Sequence, residues 1–170
     1  MPLFVRWLYS AFLWLAQPLL LRKLRRRAVA EPGYAKAISE RFGRYPQPID
    51  SLMPHSSTDA LGRFVWIHAV SLGETRAAAI LLTALRAQWP DMRLLLTHGT
   101  ATGRQAGQKL LREGDMQVWL PWDERGAVQR FVQTFRPRLG LIMETEIWPQ
   151  LLQACGQQEV PVVLVNARLS

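Results

Sequence analysis

The stretch Phe64-Val65-Trp66-Ile67-His68-Ala69-Val70-Ser71-Leu72-Gly73-Glu74 decides the fold of this chain. An apolar run, interrupted only by a histidine, leads into a Ser-x-Gly-Glu turn. An alanine- and leucine-rich segment, Thr75 to Gln88, follows at once. This order predicts a buried strand, a tight turn and a helix, the repeating unit of an α/β fold. In an open parallel sheet such a turn lies at the carboxyl edge, where these folds bind ligands.

The same alternation continues through the rest of the chain. Apolar runs occur at 64–70, 93–97, 116–120, 138–143 and 160–165, and helical patterns lie between them at 74–88, 103–112, 123–135 and 147–157. The last two apolar runs are almost continuously hydrophobic, as expected of parallel strands that helices cover on both sides. We therefore predict an α/β domain over residues 63–170, with a parallel sheet and helices on both faces.

The basic character of the chain is concentrated at its N-terminus. The net charge is +8, and residues 1–30 contribute six basic side chains and no acidic one. The remaining 140 residues hold 15 Lys and Arg against 13 Asp and Glu. The domain itself is nearly neutral, so the composition does not indicate a nucleic-acid-binding protein.

The first 30 residues are predicted to anchor the chain to a membrane. The segment from Trp7 to Leu21 is uncharged but short for crossing about 30 Å of hydrocarbon. Its aromatic residues suit a membrane interface, and the basic cluster at 22–27 suits anionic head groups on the cytoplasmic side. We expect a spanning or monotopic anchor; an N-terminal helix buried in the globule is the alternative. Residues 31–62 are predicted to be a connector with a short helix at 34–42.

Glu74 is the first candidate for catalysis. A carboxylate at the carboxyl edge of the sheet can take a proton from a substrate in the crevice. Ser71 and Glu74 also have the spacing of a capping box, in which each side chain satisfies a backbone donor at the helix start. The two roles compete, because a glutamate folded back on the backbone is less free to accept a proton.

Two further carboxylates, Glu144 and Glu146, follow the fourth apolar run. Residues two apart on an extended segment face the same way, so both are expected to point into one cleft. Capping is the alternative, because Trp148-Pro149 is typical of a helix start and acidic residues favour that end.

Other strand ends carry weaker signals. The segment Gly99-Thr100-Ala101-Thr102-Gly103 can hold an anion through backbone donors and hydroxyls, but it can equally be an ordinary turn. It matches neither the dinucleotide fingerprint nor a Walker A loop, which argues against an NAD or ATP site. His98 is expected to titrate near neutrality or to be structural. Asp123 is most simply a helix cap.

Taken in order, these segments resemble one enzyme family. The resemblance rests on five segments: Trp66–Glu74, Leu96–Gly103, Leu120–Asp123, Ile142–Pro149 and Val165–Ser170, preceded by Glu40-Arg41-Phe42-Gly43-Arg44-Tyr45. They are similar to the Kdo transferases of Gram-negative bacteria (3-deoxy-D-manno-octulosonic acid transferases). The motifs Glu-Thr-Glu-x-Trp-Pro and Asn-Ala-Arg-Leu-Ser are the most specific of them.

The resemblance implies an inverting glycosyltransferase of the GT-B fold, with two Rossmann-like domains facing a cleft. Such enzymes move Kdo from CMP-Kdo to a hydroxyl of a lipid A precursor at the cytoplasmic face of the inner membrane. It implies that Glu74 is the general base and that Glu144 assists it. No cofactor, metal or nucleic-acid partner is expected. Further residues at these strand ends are predicted to bind substrate: Ser71, Gly73, Arg76, Thr100, Thr102, Glu146, Asn166 and Arg168. Arg76, Arg104 or Arg168 is expected to meet the carboxylate of Kdo or the phosphates of lipid A.

The resemblance also implies a C-terminal domain that holds most of the CMP-binding residues. The sequence supplies no second wall for the crevice after the fifth apolar run, so we expect a truncated product that is inactive alone. The alternative function is a non-catalytic, membrane-associated α/β module that binds an acidic lipid.

Overall fold

A parallel sheet forms the centre of the computed structural model. The structure describes residues 3–45, 64–144 and 148–166, and within these ranges five strands pair in the order β3-β2-β1-β4-β5. The strands are β1 Val65–His68, β2 Leu94–His98, β3 Met116–Trp119, β4 Leu139–Met143 and β5 Val162–Val165. All four neighbouring pairs are parallel. The predicted strands and the parallel α/β sheet are thus confirmed, and the order reverses between β1 and β4, where such sheets bind ligands.

Helices follow the strands as the sequence predicts. They are α2 Leu72–Gln88, α3 Ala101–Gly107, α4 Arg125–Phe135 and α5 Pro149–Gln157. Helix α3 is shorter than expected, because its α-helical part ends at Gly107 and a 3₁₀ turn, Gln108–Leu110, continues it. Glycine is a poor helix former, and α3 contains two glycines.

Two buried clusters lie on opposite faces of the sheet. One combines Trp66 and Phe64 of the first apolar run with apolar side chains of α4 and α5. The other combines Val65 and Ile67 with Ala78 and Leu82 of α2. Adjacent strand residues alternate between the two clusters because side chains alternate across a strand. Helices therefore cover both faces, which confirms that part of the predicted fold.

Helix α1, Leu3–Ala30, lies along the carboxyl edge of the sheet. Near its start, the hydroxyl of Tyr9 donates to Asp123 at 3.0 Å, and Ser10 accepts a hydrogen bond from Gln150. Near its end, Leu24 is buried against Tyr34 and Trp119. Among the described residues, no helix combines the length and the hydropathy that a membrane crossing requires.

The first part of the predicted connector folds onto the end of β3. Two 3₁₀ turns, Pro32–Ala35 and Ile38–Phe42, take the place of the single helix expected at 34–42. Ala37, between them, has a left-handed backbone (φ 50°), which interrupts a continuous helix. Residues 46–63, the rest of the connector, lie outside the described ranges.

Candidate active site

The turn after β1 holds Glu74 in a closed arrangement. Ser71 is the N-cap of α2, and its hydroxyl oxygen accepts a hydrogen bond from the backbone N–H of Glu74 at 3.3 Å. In return, the Glu74 carboxylate accepts from the Ser71 hydroxyl at 2.8 Å and from the backbone N–H of Val70 at 2.7 Å. The reciprocal capping predicted from the sequence is thus present, with the glutamate reaching one residue further back than in the usual box.

This arrangement leaves the Glu74 carboxylate able to accept further hydrogen bonds. Its side chain is only 8% exposed, yet an ionised carboxylate has about four lone-pair sites, and the turn occupies two of them. The hydrogen bonds fix the direction of both oxygens. A catalytic role for Glu74 is not tested by this geometry and stays a prediction.

Val70 joins this turn to the turn after β2. Its carbonyl oxygen accepts hydrogen bonds from the backbone N–H groups of Gly99 and Thr100 and from the Thr100 hydroxyl, at 3.1, 2.9 and 2.9 Å. The Thr100 hydroxyl oxygen also accepts from the N–H of Gly103 and so caps α3. These donors are used within the chain, so the segment forms an interlocked turn. Substrate binding by Thr100 and Thr102 stays a prediction.

Glu144 lies at the neighbouring strand end. In the register of β1 and β4, His68 pairs with Ile142, which places Val70 and Glu144 at the same level of the sheet edge. Parallel strands lie about 4.8 Å apart. Glu144 is exposed, so its carboxylate meets solvent beside the Glu74 turn.

The argument that Glu144 and Glu146 face the same way is wrong at its first step. It assumed an extended backbone, whereas Glu144 has a left-handed conformation with φ 63°, and its N–H donates to the carbonyl of Val165 at 2.8 Å. Glu146 lies outside the described residues. Whether it joins Glu144 stays a prediction.

The remaining predicted substrate-binding residues are divided between the crevice edge and the undescribed segments. Gly73 and Arg76 are exposed in the first turn of α2, Thr102 is exposed in the first turn of α3, and Asn166 is exposed after β5. All four therefore lie at the carboxyl edge of the sheet, open to solvent. Arg168 falls outside the described ranges.

His98 does not titrate near neutrality. It is fully buried, its Nδ1 lies 2.8 Å from the carbonyl oxygen of Ala69, and its Nε2 lies 3.0 Å from the amide nitrogen of Gln117. These contacts suit a neutral ring that donates through Nδ1 and accepts through Nε2. Burial, which disfavours the charged ring, lowers the pKa of His98 to about 3. The structural alternative is therefore correct for this residue.

Asp123 is a helix cap, but of a distant helix. Its carboxylate accepts from the N–H groups of Gln150 and Leu151, at 3.1 and 2.8 Å, at the start of α5. It also accepts from the Tyr9 hydroxyl of α1. Burial raises the pKa of Asp123, although these three hydrogen bonds act in the opposite direction. Glu124 is the residue that caps the adjacent α4.

Sequence reasoning missed Glu40 and Arg41 as residues of the crevice. Both are buried in the 3₁₀ turn at 38–42. Glu40 pairs with Arg104 at 2.8 Å and accepts from the N–H of Trp119 at 2.7 Å. The guanidinium of Arg41 lies over the Trp119 ring, 4.1 Å from its centroid. The sequence does show two adjacent opposite charges in the Glu-Arg-Phe-Gly segment. Their importance becomes visible only in the fold, where they contact Arg104 and Trp119.

A cavity of about 530 Å³ lies between α1 and the carboxyl edge of the sheet. Its lining includes Val70 and Gly99 of the two interlocked turns, so it begins beside the Glu74 turn. Within the part of the chain that the structure describes, no group of three His, Cys, Asp or Glu side chains is arranged to hold a metal ion. A reaction without a metal stays a prediction.

The chain matches the family described as 3-deoxy-D-manno-octulosonic-acid transferase (kdotransferase) over residues 36–170. It is similar to the 3-deoxy-D-manno-octulosonic acid transferase of Bordetella pertussis, with 51% identity over 62% of this chain and 26% of that protein. The Haemophilus influenzae protein of the same name is 32% identical over 97% of this chain and 36% of that protein. A probable mitochondrial 3-deoxy-D-manno-octulosonic acid transferase of Arabidopsis thaliana is 31% identical over 98% and 35%.

These relatives are considerably longer than the chain, which spans between 26% and 36% of their lengths. The matched region includes the Glu74 turn, the Thr100 turn and Glu144. The region of the family match contains the crevice just described. The similarity to the Haemophilus influenzae protein extends over nearly the whole chain. The chain belongs to the 3-deoxy-D-manno-octulosonic acid (Kdo) transferase family.

Proposed function

We propose that this chain is the acceptor-side domain of an inverting, GT-B-type glycosyltransferase. The enzyme transfers Kdo from CMP-Kdo to a hydroxyl of a lipid A precursor. The observation that carries the proposal is the position of Glu74, held by two hydrogen bonds at the end of β1, where the strand order reverses beside Glu144 of β4. Open parallel sheets bind their ligands at this place.

Glu74 acts as the general base in this proposal. The acceptor hydroxyl attacks the anomeric carbon of Kdo from the face opposite CMP, so an oxygen–carbon bond forms as the bond to the CMP phosphate breaks. Glu74 takes the hydroxyl proton, and CMP leaves with the bonding electron pair. General-base assistance of this kind contributes roughly 10²–10⁴-fold. Glu144, exposed beside the turn, assists by accepting a hydrogen bond from the bound sugar.

The second wall of the cleft comes from a C-terminal domain in this proposal. The length of the relatives supports a further domain, because the chain covers only 26% and 36% of the Bordetella pertussis and Haemophilus influenzae proteins. Most contacts to CMP-Kdo then belong to that second domain. We expect the 170-residue chain to produce no Kdo-lipid when incubated with CMP-Kdo and a lipid A precursor. Product at a rate near that of a full-length relative would contradict the two-domain proposal.

Attachment of α1 to the cytoplasmic face of the inner membrane completes the proposal. Five exposed apolar side chains recur every three or four residues along one side of α1: Phe4, Leu8, Phe12, Leu15 and Leu19. Exposed basic residues follow them at 22, 25 and 26. An apolar stripe followed by basic residues suits contact with the apolar and anionic parts of a membrane interface. This position brings the crevice to the lipid that carries the acceptor hydroxyl.

Replacement of Glu74 by glutamine in a full-length protein that contains this chain tests the proposal. Glutamine retains the size of the side chain and one acceptor oxygen, but it cannot take the proton. We expect transfer to fall at least a hundredfold. Glu124→Gln is the matched control, because the Glu124 carboxylate also accepts two hydrogen bonds at a helix start, both from backbone N–H groups at 2.9 Å, but lies at α4.

Thermal unfolding of both variants separates chemistry from capping. The two glutamines should lower stability by similar small amounts, because each weakens a capping interaction of about 1 kcal/mol. If Glu74→Gln retains transfer at the level of Glu124→Gln, Glu74 is only a cap. A different outcome, in which the wild-type full-length protein binds the lipid but shows no transfer, would favour a non-catalytic lipid-binding module, which the closed hydrogen bonding of Glu74 also fits.

A further inference from the structure

The cavity between α1 and the sheet edge has two chemically distinct walls. The α1 side contributes the apolar Leu13, Leu20 and Leu24 together with the basic Lys23 and Arg27. The sheet side is lined by basic and aromatic side chains, namely Tyr34 and Arg41 of the 3₁₀ turns and Trp122 of the segment after β3. With a volume of about 530 Å³, the cavity is as large as the sites that hold small organic ligands.

Arg41 gives the sheet side of this cavity a buried positive charge. The side chain is 7% exposed, and its terminal nitrogens donate to the carbonyl oxygens of Leu120 and Gly99, at 3.3 and 2.9 Å. Its Nε is buried without a hydrogen-bond partner. Both of its bonded acceptors are neutral carbonyl oxygens. The neighbouring Glu40 carboxylate favours the charged form of Arg41, but it is paired with Arg104. Such a charge is costly to bury, unless a ligand completes its pairing.

The charge of Arg41 persists at neutral pH. Burial and the neighbouring Arg104 lower the pKa of Arg41 to about 10, which leaves the guanidinium protonated at pH 7. Asp123, the acidic residue in the cavity lining, already accepts three hydrogen bonds from Tyr9 and the start of α5. Its oxygens therefore do not compete for Arg41. Three basic residues (Lys23, Arg27 and Arg41) and one acid leave an excess of two positive charges.

We propose that this cavity binds a phosphate monoester that carries an acyl chain. The phosphate lies between Arg41, Lys23 and Arg27, and the acyl chain lies along the leucines of α1. Arg presents a planar fork of donors that matches phosphate oxygens, and a phosphate dianion balances the excess charge. The leucine wall explains why the ligand is a lipid phosphate rather than a free anion.

The location of the cavity connects this site to the proposed reaction. Val70 lines the cavity and donates its N–H to the Glu74 carboxylate, so a lipid held by its phosphate would present its sugar beside Glu74. The inference rests on the proposed function only for this last step, the identification of the ligand as the acceptor. Binding itself is measured without transfer, so the two can fail independently.

Isothermal titration calorimetry on the 170-residue chain, with three probes, tests the ligand class. The probes are dihexanoyl phosphatidic acid below its micelle concentration, inorganic phosphate, and dihexanoyl glycerol. We expect the phosphatidic acid to bind at least tenfold more tightly than either of the others. Equal affinity for inorganic phosphate would overturn the lipid part of the proposal, and equal affinity for dihexanoyl glycerol would overturn the phosphate part.

A matched pair of double variants locates the site. Lys23→Gln with Arg27→Gln removes two charges from the cavity lining, whereas Arg22→Gln with Arg26→Gln removes two charges of the same spacing that do not line it. All four residues are exposed, so neither change should prevent folding. We expect the first pair to weaken phosphatidic acid binding at least tenfold and the second less than twofold. Equal losses would show general attraction to a basic helix and overturn the site.

Nuclear magnetic resonance of the Arg41 Nε–H group provides a readout at the buried end of the cavity. The resonance is assigned as the one absent from Arg41→Lys, which keeps the charge. Saturating phosphatidic acid should shift it, because a phosphate against the guanidinium changes the electrostatic environment of the buried Nε–H, while the Nε–H of Arg86, remote from the cavity, should stay in place. An unchanged Arg41 resonance during saturable binding would contradict the assignment of Arg41.

Discussion

Glu144 and Asn166 both have left-handed backbones, with φ of 63° and 58°, at the carboxyl ends of the neighbouring strands β4 and β5. The two ends are tied together, because the N–H of Glu144 donates to the carbonyl of Val165 at 2.8 Å. A left-handed conformation costs an ordinary L-residue about 1–2 kcal/mol, whereas asparagine tolerates it better. Strained residues of this kind cluster at functional sites.

Relief of this strain should stabilise the chain. We expect Glu144→Gly to raise the free energy of unfolding by about 0.5–1 kcal/mol, since glycine adopts φ > 0 freely but loses more entropy on folding. Asn166→Gly should change it by less, which makes it the matched control. Urea denaturation measures both. A stability loss in Glu144→Gly would mean that the carboxylate makes contacts that outweigh the strain.

Acidification should destabilise the chain through His98. Its pKa is about 3 in the folded chain and about 6.5 when unfolded, so below pH 6.5 the unfolded state binds more protons. The stability that the neutral ring contributes is therefore present above pH 6.5 and is lost as the pH falls towards 3. Urea midpoints at pH 7, 6 and 5 should fall more steeply for the wild type than for His98→Asn. Parallel slopes, or a His98 resonance that titrates near pH 6.5, would contradict this prediction.

The apolar stripe of α1 should control binding to vesicles. Phe12 and Leu15 are 68% and 67% exposed, and their replacement by glutamine removes two large side chains from the stripe. We expect this double variant to lose most of its flotation with anionic vesicles. Ile80→Gln, at a residue 77% exposed on α2, should float like the wild type. Equal loss in both variants would indicate non-specific adsorption.

Two glycines should respond in opposite ways to alanine. A Cβ on Gly140 would lie 2.7 Å from the Trp66 ring, so Gly140→Ala should cost about 1–3 kcal/mol by overpacking. A Cβ on Gly156 in α5 meets nothing within 4 Å, and Gly156→Ala should gain up to about 1 kcal/mol because alanine favours helix. Thermal unfolding measures both changes. A neutral Gly140→Ala would mean that the Trp66 ring can move aside.

Features set by nearby residues could be predicted from the sequence. The capping of α2 depends on Ser71 and Glu74, three positions apart, and it was expected from that spacing alone. The strands were visible because a parallel strand covered on both faces must be apolar along its whole length. The shorter α3 was missed, although its two glycines are a local sign of a weak helix.

The rest of the candidate site depends on contacts between distant parts of the chain. Asp123 was correctly expected to cap a helix, but its partners lie 27 and 28 residues further on. The buried pairing of Glu40 with Arg104 spans 64 residues. Local patterns cannot specify such partners, because strand order and the path of α1 decide which side chains meet. The same holds for the cavity around Arg41.

The Asp123 carboxylate joins two elements that the sequence keeps far apart, the hydroxyl of Tyr9 in α1 and the first turn of α5. The N-terminal helix is thereby tied directly to the rim of the crevice. If α1 rests on a lipid surface as proposed, the orientation of that helix would fix the direction in which the crevice faces the membrane.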